Sequence, residues 1–161
     1  MPFRLTPHAA DAAAVRQLVS DTGFFSAEEL DVAVELVDER LAKGRASGYE
    51  FVFLDDPDNP QELLGYTCYG PIPATRASYD LYWIAVAPTQ QRNGLGHELL
   101  VESERQAAKL GAHTMYVDTS GRAQYKPTRR FYEQNGYGVA ARLEDFYAPG
   151  DAKVIYCKVL D

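Results

Sequence analysis

"QQRNGLGHELL", residues 90–100, follows the apolar stretch "LYWIAVAP" at 81–88 and runs into a long helix-forming segment. Two glycines, Gly94 and Gly96, stand one residue apart where that helix opens, behind a polar and partly basic lead-in. Backbone that turns sharply at a helix start leaves several N–H groups without intrahelical partners. Those donors, at the positive end of the helix dipole, attract anions. Which anion they hold, if any, decides how the rest of the chain is read.

The whole chain narrows the choice. Its 161 residues make one domain, large enough to bury a core without staples. Apolar residues are 46% and charged residues 24%, an ordinary globular composition. A net charge of −7 argues against nucleic acid as a partner, since a reader of phosphate backbones needs the opposite sign. The two cysteines, Cys68 and Cys157, lie in strand-like segments and read as buried, reduced thiols. No apolar run is long enough to span a membrane, and "MPFRLTPHAADAAAV" has neither the basic start nor the apolar centre of a signal peptide. The expectation is a soluble, cytoplasmic enzyme or binding domain.

Working outward from the glycines, "PFRLTP" predicts a short first strand ended by Pro7. "DAAAVRQLVSDTG" then predicts a helix with Ala14, Val15, Leu18 and Val19 on one face, capped by Asp11 and stopped at Gly23. Ser26 and Glu29 form a capping box for a second helix carrying Leu30, Val34, Val37 and Leu41. "YEFVFLDD", "ELLGYTCYG" and "YDLYWIAVAP" are strands rich in aromatic and aliphatic residues. Leu95, Leu99, Leu100, Ala107 and Leu110 mark the helix after the glycines, and "HTMYVDTS" is the next strand. "KPTRRFYEQNG" is a short helix with Pro127 in its first turn, and "YGVAARLEDFY" and "AKVIYCKVL" pair across "APGD". The order β-α-α-β-β-β-α-β-α-β-β predicts an α/β fold on a mixed sheet, with a parallel βαβ unit over residues 80–119.

The rivals for the glycine loop now separate. A triphosphate loop needs G-x-x-x-x-G-K-[ST], which is absent. A dinucleotide fingerprint needs a third glycine where Leu99 stands, and a first glycine directly after the strand; here Ala87 to Asn93 intervene. A tight loop without ligand is the ordinary reading of an isolated G-x-G. The surroundings are more specific: Gln91, Arg92, Asn93, Gly94, Leu95 and Gly96 spell Q/R-x-x-G-x-G, after a strand ending Val-x-Pro and before x-x-Leu-Leu.

That string resembles the acetyl-CoA signature of the GNAT superfamily of N-acetyltransferases, and the element order of the whole chain is similar to that fold. "RRFYEQNGY" at 129–137 resembles the superfamily's second motif. The resemblance implies central strands that splay apart. It also implies coenzyme A pyrophosphate on the N–H groups from Gln91 to His97, and a pantetheine arm along "LYWIAV", where Ile84, Ala85 and Val86 offer backbone groups. Arg92 reads equally as a phosphate partner or a solvated surface residue. Where the superfamily often has Asn, followed three residues later by a small residue, this chain has Tyr125 and Thr128. Cofactor contacts there would pass to Thr119, Lys126 and Arg129.

Acetyl transfer from a thioester to an amine needs a neutral amine, a stabilised oxyanion and a proton for the thiolate. An alkyl ammonium has a pKa of ~10.4, so a base helps at neutral pH, and a phenol near ~10 can protonate a departing thiolate. The resemblance makes Tyr132 the candidate acid; without it, Tyr132 reads as a core residue with its hydroxyl at the rim. Asp80 is the candidate base, relayed through water, or an ordinary strand-end aspartate. Alternation puts it on one face with Tyr82, Ile84 and Val86, and Glu50, Tyr79 and Tyr82 are reserves. His8, His97 and His113 lack metal-ligand spacing, so no metal is expected. "SDTGFFSAEE" and "EDFYAPGDAK" combine aromatics with carboxylates, suiting a small cationic or amino-acid-like amine. A peptide N-terminus, a protein lysine, and a non-catalytic acetyl-CoA sensor stay open, as does a homodimer.

Overall fold

The computed structural model describes residues 2–161. Four helices cover a six-stranded sheet: α1 (Asp11–Asp21), α2 (Ala27–Lys43), β1 (Glu50–Asp56), β2 (Asn59–Pro71), β3 (Ser78–Val86), α3 (Leu95–Lys109), β4 (Thr114–Ser120), α4 (Lys126–Gln134), β5 (Gly138–Ala148) and β6 (Asp151–Val159). The strand order is β1-β2-β3-β4-β6-β5. Every pairing is antiparallel except β3 with β4, which the intervening α3 makes parallel.

In place of the expected first strand stands a single antiparallel bridge, Arg4 with Phe53, closed by N–H···O contacts of 2.9 and 2.8 Å. Pro2 and Pro7 lack N–H groups and cannot extend it. The Arg4 side chain anchors the segment instead. Its guanidinium donates to Asp11 at 2.8 and 2.9 Å and to Asp55 at 3.0 and 2.7 Å, and lies over the Phe53 ring. This alters the reading of Asp11. Ala10 is the N-cap of α1, and the buried Asp11 carboxylate accepts from His8 N and from Arg4. The second helix keeps its expected start, with the Ser26–Glu29 capping box closed in both directions.

Period-two alternation divides the core between the faces of the sheet. Phe51, Phe53, Tyr66 and Cys68 meet Val15, Leu18 and Val19 of α1 and Ala33 and Val37 of α2. Val52, Leu54, Tyr69, Met115 and Val117 meet Leu95, Leu99 and Leu100 of α3 and Tyr132 of α4. Cys68 is buried and Cys157 only partly so, and both are free thiols. Among the described residues no helix is long and apolar enough to cross a membrane.

Two irregularities of β3 shape everything that follows. Cys68 pairs with Trp83 and Tyr69 with Leu81, so Tyr82 is an extra residue, a β-bulge. A one-residue insertion exchanges the faces beyond it. Tyr79 and Leu81 belong to the α3 side before the bulge, and Ile84 and Val86 belong to it afterwards. Asp80 therefore does not share a face with Ile84 and Val86; it looks out on the α1–α2 side, as do Trp83 and Ala85. Simple alternation overlooked the inserted residue. The second irregularity is the pairing with β4, which covers only Ser78–Asp80 against Thr114–Tyr116. Beyond it the two strands part, as the resemblance implied.

Candidate active site

The gap between the parted strands is a cleft of about 690 Å³. Ile84, Ala85, Val86 and Gln91 form one wall; Val117, Asp118, Thr119 and Ser120 form the opposite one; Tyr132 also lines it. The antiparallel partners β2 and β6 satisfy the outer edges of β3 and β4, while the inner edges face each other across open space. Backbone groups of Ile84 to Val86 are thus placed for an extended, amide-bearing chain to pair with, as an added strand would.

At the end of β3 a short 3-10 turn, Pro88–Gln90, leads into the glycine loop. Arg92 has φ 70° and Gly94 φ 80°, a left-handed N-cap from which α3 starts at Leu95. The helix thus begins between the glycines, and they do different jobs. Gly94 supplies the turn, which an L side chain resists. Gly96 sits in the first helical turn, where a Cβ would meet Phe131 Cε1 at 3.2 Å and Cζ at 3.4 Å. It lets α4 pack against the start of α3. Gly96→Val should therefore cost about 1–3 kcal/mol by overpacking, read as a lower denaturant midpoint with an unchanged slope.

Gly94 has no side chain to cap the helix, so the N–H groups of Leu95, Gly96 and His97 are the first-turn donors left for a ligand. Arg92 and Asn93 are exposed beside them. The His97 ring contacts Asn135 Oδ1 at 2.5 Å, which ties the two motifs together and leaves its backbone N–H at the helix start. An uncapped positive helix end in front of a left-handed glycine fits the pyrophosphate of coenzyme A.

The remaining candidates are arranged as follows. Thr119 is buried and its Oγ1 donates to Val154 O at 2.9 Å. Arg129 Nη1 donates to Ser120 O at 2.6 Å and Arg122 O at 2.9 Å, so that nitrogen holds the β4–α4 loop together. Lys126 is exposed at the first position of α4. Thr128 lines the cleft directly.

Tyr132 has its ring packed among Phe131, Tyr137 and Tyr156, with centroids 5.3, 5.6 and 6.3 Å away. Burial raises its pKa well above that of a free phenol. The group therefore reaches the cleft as a protonated donor. Asp80 is shifted in the same direction: burial, reinforced by the nearby Asp118 charge and opposed by Lys153, pushes it up to about 6. Lys153 Nζ lies 3.3 Å from Asp118 Oδ2 and over the Phe146 ring. A carboxyl with that pKa, on the α1–α2 side of the strand split, is ionised at neutral pH and still basic enough to take a proton.

The reserve bases fare differently. Glu50 Oε2 is paired with Arg40 Nη1 at 2.6 Å. Tyr79 is buried on the α3 side of the sheet. Tyr82 is pushed up to about 12 by burial and by Asp80. Asp118 was not among the expected site residues; the two-residue alternation from Tyr116, the β4 partner of Asp80, was the signal that could have placed it there. Phe24, Phe25, Glu29, Tyr147 and Asp151, from the loop and hairpin expected to shape the acceptor pocket, all line the cleft. Among the described residues no group of three or more His, Cys, Asp or Glu is placed to hold a metal.

Comparison with known proteins adds to this geometry. Residues 13–137 match the acetyltransferase (GNAT) family. A crystal structure of a GNAT-family protein from Desulfovibrio desulfuricans is 48% identical, with 99% of each chain covered and a TM-score of 0.95. An aminoglycoside 6'-N-acetyltransferase complexed with coenzyme A is 18% identical, with 100% of this chain and 98% of that one covered and a TM-score of 0.77. A spermidine N-acetyltransferase variant from Vibrio cholerae is 15% identical, with 99% and 95% covered and a TM-score of 0.75. No curated protein matches the chain significantly.

Proposed function

Because the chain belongs to the GNAT family of acetyltransferases, we propose that it moves the acetyl group of acetyl-CoA to the primary amine of a small cationic acceptor. The observation that carries this reading is the cleft opened where β3 and β4 part, with the inner edge of Ile84 to Val86 on one wall, Tyr132 in its lining and the uncapped start of α3 following from β3; Asp80 sits at the closed end of the split, near the lining residue Asp118.

Acetyl-CoA supplies an activated acyl group as a thioester. Gln91 to His97 receive its pyrophosphate, Arg92 adds a positive charge, and the inner edge of Ile84 to Val86 pairs with its pantetheine arm. Asp80, through water, takes the proton that an ammonium must lose before its nitrogen can attack the thioester carbonyl directly. Tyr132 donates a proton to the sulfur that leaves. Glu29, Asp118 and Asp151 line the cleft with aromatic rings between them, Asp118 and Asp151 being shared with Lys153 and Arg122, and Asp80 adds a carboxylate near Asp118, so the acceptor's positive charge meets an acidic lining. The acceptor class rests on this acidic and aromatic lining, because the more distant structural relatives include transferases named for aminoglycosides, for spermidine and for a ribosomal protein's alanine.

A panel of amines, amino acids and peptides, assayed by thiol release from acetyl-CoA, tests the reading. Turnover is expected with small primary amines, and weaker or no turnover with peptides. Failure to bind acetyl-CoA would overturn it altogether, while tight binding with no turnover on any acceptor would favour a sensor.

A further inference from the structure

The position where the family often has Asn is occupied here by Tyr125, the N-cap residue of α4, whose side chain makes no capping hydrogen bond and packs with other side chains instead. Its centroid lies 4.8 Å from that of Phe24 in an edge-on arrangement, and the Arg122 guanidinium lies over the Tyr125 ring, 5.5 Å from its centroid. Phe24 in turn meets Phe25 at 5.4 Å, and Phe25 meets Trp83 at 4.8 Å, again edge-on. Trp83 is on β3, Phe24 and Phe25 are in the α1–α2 loop, and Tyr125 stands at the entrance to α4, just beyond β4. The four rings thus form a continuous chain from one side of the strand split to the other. All four line the cleft.

Nothing in the hydrophobic core requires this arrangement. Phe24 is 37% exposed and neither Phe24 nor Tyr125 belongs to a core cluster, yet the two loops that carry them come from opposite faces of the sheet and touch only by reaching across the gap. Phe25 and Trp83, by contrast, pack against the α1–α2 core and give the loop a fixed footing on β3. The Phe25–Trp83 end is thus anchored, and the Phe24–Tyr125 contact is the junction that can part. We propose that Phe24 and Tyr125 are specificity-determining residues: their contact forms an aromatic bar across the cleft that admits slender, unbranched amines and turns away multi-ring ones. The proposal rests on the acetyltransferase reading for its substrate consequence, but the bar itself is testable without turnover.

Trp83 is the sole tryptophan of the chain, so its fluorescence reports on the cleft wall without labelling. In Phe24→Ala and Tyr125→Ala, acrylamide quenching of Trp83 is expected to rise about twofold as the bar opens. The ratio of kcat/KM for kanamycin to that for putrescine should rise at least about tenfold. Tyr125→Phe keeps the ring and should keep both wild-type values, which separates the ring contact from any role of the hydroxyl. Acetyl-CoA affinity, measured calorimetrically, confirms that the alanine variants are folded.

Unchanged quenching in both folded alanine variants would overturn the bar, whatever the activity. Raised quenching with an unchanged ratio would overturn its role in specificity. If the wild type turns over neither amine while binding acetyl-CoA, the acetyltransferase reading has failed for these acceptors and takes the specificity claim with it; quenching still decides whether the bar exists.

Discussion

Tyr132→Phe is expected to lower kcat by about a hundredfold to a thousandfold while changing acetyl-CoA affinity by less than about twofold. Only the phenolic hydroxyl is lost. The ring that packs on Phe131, Tyr137 and Tyr156 remains, so stability should shift by less than about 0.5 kcal/mol. Such a split between rate and affinity identifies an interaction made in the transition state and absent from the ground state. The pH dependence adds a second signature. A thiol pKa of about 8.5 means that the thiolate departs with less help as the pH passes that value. The deficit should therefore be largest near neutrality and shrink in alkaline buffer. Steady-state kinetics from neutral to alkaline pH, with affinity from calorimetry, checks both points. A kcat within threefold of wild type would move the acid elsewhere.

The sequence made the fold legible where periodicity and caps are local. The Ser26–Glu29 box, the helix after the glycines and the final hairpin lie where their residues predict. What local pattern cannot show is a residue inserted into a strand. Tyr82 looks like any alternating aromatic in "DLYWIAV", and its bulge appears only once Cys68 and Tyr69 choose their partners on β3. That single insertion moved Asp80 to the opposite face from Ile84 and Val86, and beside Asp118. The same limit applies to long-range charge. Arg4, Asp11 and Asp55 are up to 51 positions apart, so their cluster had no signature, and Asp11 read instead as a cap. The glycines show a subtler case. Their spacing pointed to an anion-binding turn, but the need for Gly96 comes from the Phe131 ring of a distant helix. Motif residues were legible, and the reasons for several of them were tertiary.

Asp80→Asn should separate chemistry from stability in opposite directions. With Asp80 ionised, kcat/KM for an alkyl amine is expected to rise with unit slope up to about pH 6. It should then stay level until the amine itself deprotonates near ~10.4, because the enzyme binds the ammonium and removes its proton in place. The asparagine variant has no proton acceptor there, so only amine already neutral in solution reacts. Its kcat/KM should be about tenfold to a hundredfold lower at neutral pH and climb steadily across the range where the wild type is level. Folding should respond the other way. Below pH 3.8 the carboxyl is protonated in both states; between 3.8 and about 6 the unfolded chain loses the proton first, the native state binds more, and stability falls as pH rises. Holding a carboxyl near 6 corresponds to at most about 3 kcal/mol. Screening by water at a partly exposed site leaves about 1 kcal/mol of that. Asp80→Asn should therefore melt about 2–4 °C above wild type at neutral pH and show no gain at the acid end. A variant that is slower but no more stable would make Asp80 a binding group whose charge the acceptor compensates. One that is more stable but equally fast, with the level region intact, would leave the aspartate out of the chemistry. Loss of the level region together with a raised melting temperature is the result expected of a base kept partly out of water, where its pKa suits proton transfer at some cost in stability.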